Sequence, residues 1–153
     1  MNNIFLSILI IFILIIINGI FAMSEISLIS ARKVRLQQMS KDGIRSAQVA
    51  LDISENPNKF LSTVQIGITL IGILSGALGG ASISSKLSVI FNEVTWLQPY
   101  SEILSVTIVV LLTTYFSLVI GELIPKRLVL NSPEKIASAV AMPMKAISWL
   151  TSP

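Results

Sequence analysis

The sequence predicts an all-α integral membrane protein with three transmembrane helices and short juxtamembrane helices. Hydrophobic residues make up 53% of the 153 residues, and only 12% of the residues are charged. A soluble domain carries about 25% charged residues, so this chain has about half of the charge that a water-facing surface requires. In addition, three separate apolar stretches are each as long as the ~20 residues that cross a bilayer. The lipid bilayer is therefore the expected surroundings of the chain.

The composition also excludes several classes of function. The chain has no Cys and no His, which excludes disulfides, thiol or histidine catalysis, and zinc sites built on those ligands. The shortage of charge excludes a soluble domain, a disordered tail and a nucleic-acid-binding domain, despite a net charge of +3. We therefore expect no nucleic-acid partner and no enzymatic activity.

The three predicted spans are residues 4–23, 60–80 and 103–124. The first two contain no charged residue, and the third contains only Glu122. A cleaved signal peptide is the less favoured explanation of the first stretch, because that stretch lacks a basic start and exceeds the usual apolar run of ~7–15 residues.

Shorter helices are predicted around these spans. Residues 24–39 alternate apolar and basic positions, which indicates an amphipathic continuation of the first helix, and residues 47–53 form a short helix ended by Asn56-Pro57. Residues 133–150 follow Ser132 and begin with a proline, a pattern typical of a helix start. We predict a helix here on the inner membrane face, broken or kinked at Pro143.

Lys and Arg are distributed unevenly along the chain. Of the eleven basic residues, six lie between the first two spans, four follow the third span, and only Lys86 lies between the second and third. Because basic residues accumulate on the cytoplasmic side, we predict a multi-pass cell-membrane protein whose N-terminus is outside. Residues 31–59 and the C-terminus are then cytoplasmic.

Two acidic residues, Glu25 and Glu122, lie at similar depths near the inner ends of their spans. An ionisable residue within a span is a candidate functional residue by default, although Glu25 could equally be a boundary residue. Pro125 follows Glu122 and has no N–H, so it kinks the helix and leaves the Gly121 carbonyl without its helical partner. Carboxylate and carbonyl oxygens bind hard cations, so Glu122 and Gly121 form a candidate cation site.

Other polar groups and glycines lie on the first two spans. Oxygens at the level of Glu25 and Glu122 could come from two positions on the first span, Asn18 and Ser24, and from four on the second, Thr63, Gln65, Gly67 and Thr69. A four-residue repeat of glycines on the second span is typical of close helix packing, and its members are Gly72, Gly76 and Gly80.

Three motifs occur in order on the successive spans. They are Asn18-Gly19-x-Phe21-x-x-Ser24-Glu25, Gln65-Ile66-Gly67-Ile68-Thr69-Leu70 and Gly121-Glu122-x-x-Pro125-Lys126. Together they resemble the transmembrane domain of the CNNM/CorC magnesium transporters, whose bacterial members are often labelled haemolysin-like. The resemblance implies a homodimer that binds Mg²⁺ and exports it, driven by Na⁺ entry.

The resemblance also implies a set of ion ligands and a further domain. The ligands would be Ser24 and Glu122, with help from the Gly121 backbone and from Gly67 and Thr69 on the second span; Glu25 and Asn18 are possible additions. A cytoplasmic pair of CBS modules would come after the membrane domain, so we expect an isolated membrane domain or a truncated piece of a longer protein.

The sequence departs from that family at Ile68 and Gly72, where its transporters carry two asparagines. Two side-chain oxygens are therefore absent: either backbone carbonyls and Thr69 replace them, or Mg²⁺ binds weakly, or another ion is handled.

Two functions stay open. The first is a Na⁺-coupled Mg²⁺ exporter that uses Glu122, and the second is a membrane anchor or regulatory domain for CBS modules that moves no ion.

Overall fold

The computed structural model describes residues 2–151, and all regular secondary structure among them is helical. This confirms the all-α prediction. The α-helices are α1 (Asn2–Ser30), α2 (Lys33–Lys41), α3 (Arg45–Glu55), α4 (Pro57–Leu78), α5 (Ser85–Asn92), α6 (Ser101–Leu118), α7 (Ile124–Val129) and α8 (Pro133–Thr151). Two π-helical turns, Gly79–Ser84 and Val119–Leu123, join α4 to α5 and α6 to α7, and a 3-10 turn, Gln98–Tyr100, precedes α6.

Three continuous helical paths are long and apolar enough to cross a membrane. They are Ile4–Ser30, Pro57–Asn92 and Gln98–Val129, which we call the first, second and third spanning helices. Each is longer than its predicted span, because helical hydrogen bonding continues where the hydropathy falls. The second path continues as helix through residues 81–92, which lie between the second and third predicted spans. The 36 residues of the second spanning helix extend about 54 Å at 1.5 Å per residue, well beyond the ~30 Å hydrocarbon core.

The first spanning helix does not continue as an amphipathic helix, contrary to the sequence-based prediction. It ends at Ser30, and α2 begins after Arg32, whose backbone is extended. The reason lies in a distant residue: Glu134, at the start of α8, accepts a hydrogen bond from the Arg32 backbone N–H at 3.3 Å. That N–H is thereby taken from the helix, and the chain turns at this point.

A packed core lies at one end of the bundle, where α2, α3 and α8 meet the starts and ends of the spanning helices. Its buried members are Leu28, Leu36, Ala50, Leu51, Phe60, Val64, Ala137, Ala141 and Met144. By contrast, large apolar side chains along the spanning helices are exposed, among them Ile66, Leu70 and Ile73. These side chains face the bilayer, which is expected of membrane-spanning helices.

The juxtamembrane helix α8 runs from Pro133 to Thr151 and passes through Pro143 without a break. Pro143 and Ala139 are both exposed, so the Ala139 carbonyl that loses its helical partner can bond to water instead. The prediction of the helix itself is confirmed, and a break at Pro143 was wrong.

Candidate cation site

Glycines let the first and third spanning helices approach closely near Glu122. A Cβ atom added to Gly19 would lie 3.0 Å from Pro125 Cγ, and one added to Gly121 would lie 3.2 Å from the carbonyl oxygen of Ile15. A side chain at either position would therefore require its neighbours to move by a few tenths of an ångström, since the two helices pack closely there.

The helix around Glu122 is a π-helical turn, not a regular α-helix. The Ile124 N–H bonds to the carbonyl of Val119, five residues earlier, and Pro125 has no N–H to donate. The Gly121 carbonyl, predicted to lack its helical partner, accepts a buried hydrogen bond from Asn18 Nδ2 at 3.1 Å. A carbonyl oxygen has two lone pairs, so one remains for a ligand.

The Glu122 carboxylate forms an ion pair one helical turn along its own helix. Lys126 Nζ lies 2.8 Å from Glu122 Oε1 and 4.0 Å from Glu25 Oε2. The side chains of Glu122, Glu25 and Lys126 are 40%, 29% and 31% exposed. The two acidic residues that the sequence placed at one depth therefore meet at one ammonium group, and the cluster has one excess negative charge.

The pairing of Glu122 with Lys126 was not predicted; in the sequence Lys126 was noted only as a basic residue of a motif. This ion pair could have been predicted from the sequence, because a Glu four residues before a Lys on a helix places the two charged groups side by side. What the sequence could not supply is the contact with Glu25, which depends on the packing of two helices.

The remaining predicted ligands have different surroundings. Ser24 is fully buried, and its Oγ donates to the Ile20 carbonyl at 2.7 Å, so its lone pairs stay available. Gly67 is covered by Phe21, since an added Cβ would lie 2.7 Å from the aromatic ring. Thr69 is on the exposed side of α4. The structure thus pairs Asn18 with the Gly121 carbonyl and brings Glu25 and Glu122 to Lys126. Gly67 has a packing role.

The repeated glycines of the second spanning helix face open space on the side where a side chain would project. Cβ atoms added to Gly72, Gly76 and Gly80 would meet nothing within 4 Å. Close packing at these glycines therefore does not occur within residues 2–151, and packing between chains stays a prediction.

Glu25 also opens onto a wide cavity between α1 and α4. The cavity has a volume of about 500 Å³, and its polar lining consists of Glu25, Ser62 and Gln65. Within the part of the chain that the structure describes, no three acidic side chains come together as a metal cluster. The arrangement can therefore bind a cation through one or two carboxylates that are reachable from one side.

Comparison with known proteins places the sequence among membrane domains. Residues 9–153 match the family described as the Cyclin M transmembrane N-terminal domain, or CNNM. The UPF0053 protein sll0260 of Synechocystis is 49% identical over 152 residues, which are 99% of this chain and 34% of that protein.

Two further relatives have a name that refers to a cargo. The polyamine export protein of Haemophilus influenzae is 33% identical over 155 residues, covering 99% of this chain and 35% of its own length. The polyamine export protein of Escherichia coli K12 is 35% identical over 147 residues, covering 96% of this chain and 33% of its own length. The chain spans about a third of the length of these curated relatives.

Proposed function

This chain belongs to the CNNM family of transmembrane domains, and on that premise we propose that it is the membrane domain of a cation exporter and not an enzyme. The observation that supports this proposal is the carboxylate of Glu122, which lies inside a spanning helix and binds an ammonium group at 2.8 Å. An acidic residue at such a depth is costly and is retained where it serves a cation path.

The site favours an organic cation of the polyamine class as cargo. Lys126 Nζ is an alkylammonium group, so Glu122 already binds the chemical group that a polyamine carries. Mg²⁺ requires near-octahedral coordination by oxygen, whereas Ile68 and Gly72 offer no side-chain oxygen. The names of the Haemophilus and Escherichia relatives agree with this choice.

Magnesium, exported in exchange for entering Na⁺, is the second candidate cargo. The Gly121 carbonyl belongs to the residue directly before Glu122, and the buried hydroxyl of Ser24 lies on the first spanning helix. Mg²⁺ usually keeps several bound waters, which would replace the oxygens missing at Ile68 and Gly72.

For the whole protein we propose a homodimer in the bacterial cell membrane. Its N-terminus would be outside, and a cytoplasmic pair of CBS modules would come after the membrane domain, as the resemblance to CNNM/CorC transporters implies. The alternative is a membrane anchor or regulatory domain for those modules, which moves no cation.

Flux through proteoliposomes tests these possibilities against one another. The chain is reconstituted, and the movement of radiolabelled spermidine and of Mg²⁺ is measured with and without a Na⁺ gradient, against protein-free liposomes. We expect spermidine flux above that of the protein-free control. Flux of Mg²⁺ alone, dependent on Na⁺, would favour the second cargo, and flux of neither cation would contradict the exporter and favour the anchor.

A further inference from the structure

A second polar feature lies between the second and third spanning helices, away from Lys126. It is a groove of about 210 Å³. We call it the hydroxyl groove, after the four hydroxyl side chains that line it: Ser75, Thr113, Thr114 and Ser117. Gly72 and Gly76 form part of its wall, and nothing within 4 Å faces either glycine. The groove is therefore open along the glycine side.

The hydroxyls of this groove lack hydrogen-bond partners. Ser75 is 3% exposed, and its Oγ makes no hydrogen bond. The side-chain hydroxyls of Thr113, Thr114 and Ser117, which are partly or fully exposed, likewise make no hydrogen bond within residues 2–151. Earlier on the same helix, Ser105 and Thr107 behave in the usual way and donate to the carbonyl four residues back, at 2.6 and 2.7 Å. The contrast sets the groove apart from the rest of the third spanning helix.

Unpaired hydroxyls are costly in hydrocarbon, and polar groups persist at membrane depth where they meet protein, water or a ligand. Four of them in one groove therefore indicate that water or a polar ligand occupies it. Hydroxyl oxygens accept hydrogen bonds from ammonium groups and also coordinate hard cations. No charged side chain lines the groove, so no fixed positive charge repels a cation there.

One end of the groove lies about one helical turn before Glu122 along the third spanning helix. Leu118 lies at one end of the groove and precedes Glu122 by four residues, which is about one helical turn. From there the lining residues continue toward Ser101, at the end of the helix that the distribution of basic residues predicts to be outside.

We propose that the hydroxyl groove is a water-filled passage that admits a cation between Glu122 and the Ser101 end of the third spanning helix. The proposal rests on the proposed export function for its cargo. Access of a small cation to the groove can be measured independently of that cargo.

Thiol accessibility is the first test, because the chain contains no cysteine of its own. Thr114→Cys places a thiol in the groove, and Leu111→Cys places one less than a turn away on an exposed surface outside the groove. A methanethiosulfonate with a trimethylammonium group reacts with the thiolate, which forms in water and not in lipid. We expect Thr114→Cys to react at least about tenfold faster than Leu111→Cys.

Filling the groove is the second test. Gly76→Leu places a side chain in open space within the groove, whereas Gly80→Leu places one in open space outside it. We expect Gly76→Leu to lose most of the cation flux while spermidine still binds with the parent affinity, because the Glu122 cluster is untouched. Gly80→Leu should keep the flux of the parent.

The outcomes separate the passage from the export function. Equal reaction rates at positions 114 and 111 would mean that lipid or a second copy fills the groove, and would overturn the proposal. Flux through Gly76→Leu equal to that of Gly80→Leu would also overturn it. If the groove reacts rapidly but the parent moves neither spermidine nor Mg²⁺, the export function fails, while access of a cation to the groove is supported by the labelling itself.

Discussion

Glu122 and Glu25 both place a carboxylate beside Lys126, at 2.8 and 4.0 Å. This contact explains how two acidic residues persist near the ends of spanning helices, since a charge that is paired and partly reachable by water is far less costly than an isolated one. It also means that a cargo cation must share the carboxylates with Lys126 or displace it.

Removal of the Lys126 ammonium should therefore strengthen cation binding. A partly exposed ion pair contributes about 0.2–1 kcal/mol, so we expect Lys126→Met to bind spermidine up to about fivefold more tightly than the parent, as measured by calorimetry. Arg127→Met is the matched control, because Arg127 is exposed and makes no ion pair within the described residues. Weaker binding by Lys126→Met would contradict competition by Lys126.

Glu134 is the buried charge outside the spans. Burial by itself would raise the pKa of the Glu134 carboxyl. Hydrogen bonds from its own N–H and from the Arg32 N–H, together with the charges of Arg35 and Arg32, outweigh burial and hold the pKa below the usual 4.5. The charged form is thus favoured by folding. Its contribution to stability is present above pH 4.5 and is lost as the pH falls through the lowered pKa.

We accordingly expect Glu134→Gln to lower the free energy of unfolding by about 1–3 kcal/mol at pH 7, because a buried charged acceptor is lost. The difference from the parent should shrink as the pH is lowered below 4.5. Thermal unfolding in detergent across this pH range measures both effects, with the exposed Glu93→Gln as control. A difference that does not change with pH would contradict the role of the Glu134 charge.

At the level of helices, the crossing of the first and third spanning helices depends on Gly121. We expect Gly121→Ala to destabilise the protein, because its Cβ would lie 3.2 Å from the backbone oxygen of Ile15 and 3.1 Å from Asn18 Nδ2. Gly76→Ala is the matched control, because its Cβ meets open space; it should leave stability unchanged or raise it by up to about 1 kcal/mol. We expect a lower melting temperature for Gly121→Ala than for Gly76→Ala. Equal melting temperatures would mean that the helices do not pack closely at Gly121.

Hydropathy predicted the existence of the three spanning helices, since length and apolar content suffice for that. It could not predict where they end. The break after Ser30 depends on a hydrogen bond from Arg32 to Glu134, which is 102 residues away. The extension to Asn92 depends on helical hydrogen bonding that persists through polar residues.

In the candidate site, too, the sequence predicted residues from local motifs but not the contacts between helices. Local motifs identified Asn18 and Gly121, which form a hydrogen bond, and Glu25 and Glu122, which both lie beside Lys126. The contact of Lys126 with Glu25 and the unpaired hydroxyls of the groove were not predicted, because they depend on which helix faces which.

Across the whole molecule, packing is uneven. The buried core lies where α2, α3 and α8 surround one end of the bundle, whereas the spanning helices expose large apolar side chains. The juxtamembrane helices therefore hold the spanning helices at this end, and the bilayer must supply the apolar surroundings elsewhere.

The predicted topology makes the packed end cytoplasmic, because ten of the eleven basic residues lie on that side. Single cysteines at the exposed positions Gln37 and Thr95 test this in intact cells with a membrane-impermeant maleimide. We expect labelling of Thr95→Cys alone, and the cysteine-free parent controls for background. Labelling of Gln37→Cys from outside would reverse the topology.

The central claim is that the Glu122 carboxylate binds the cargo cation, and calorimetric titration of Glu122→Gln with spermidine tests it most directly. The substitution removes the charge and keeps the shape, so we predict that binding is lost while the melting temperature stays close to that of the parent. Glu102→Gln, at the opposite end of the same spanning helix and exposed, should bind as the parent does. If Glu122→Gln binds spermidine and Mg²⁺ as tightly as the parent, the cation site does not involve Glu122, and the central claim is contradicted.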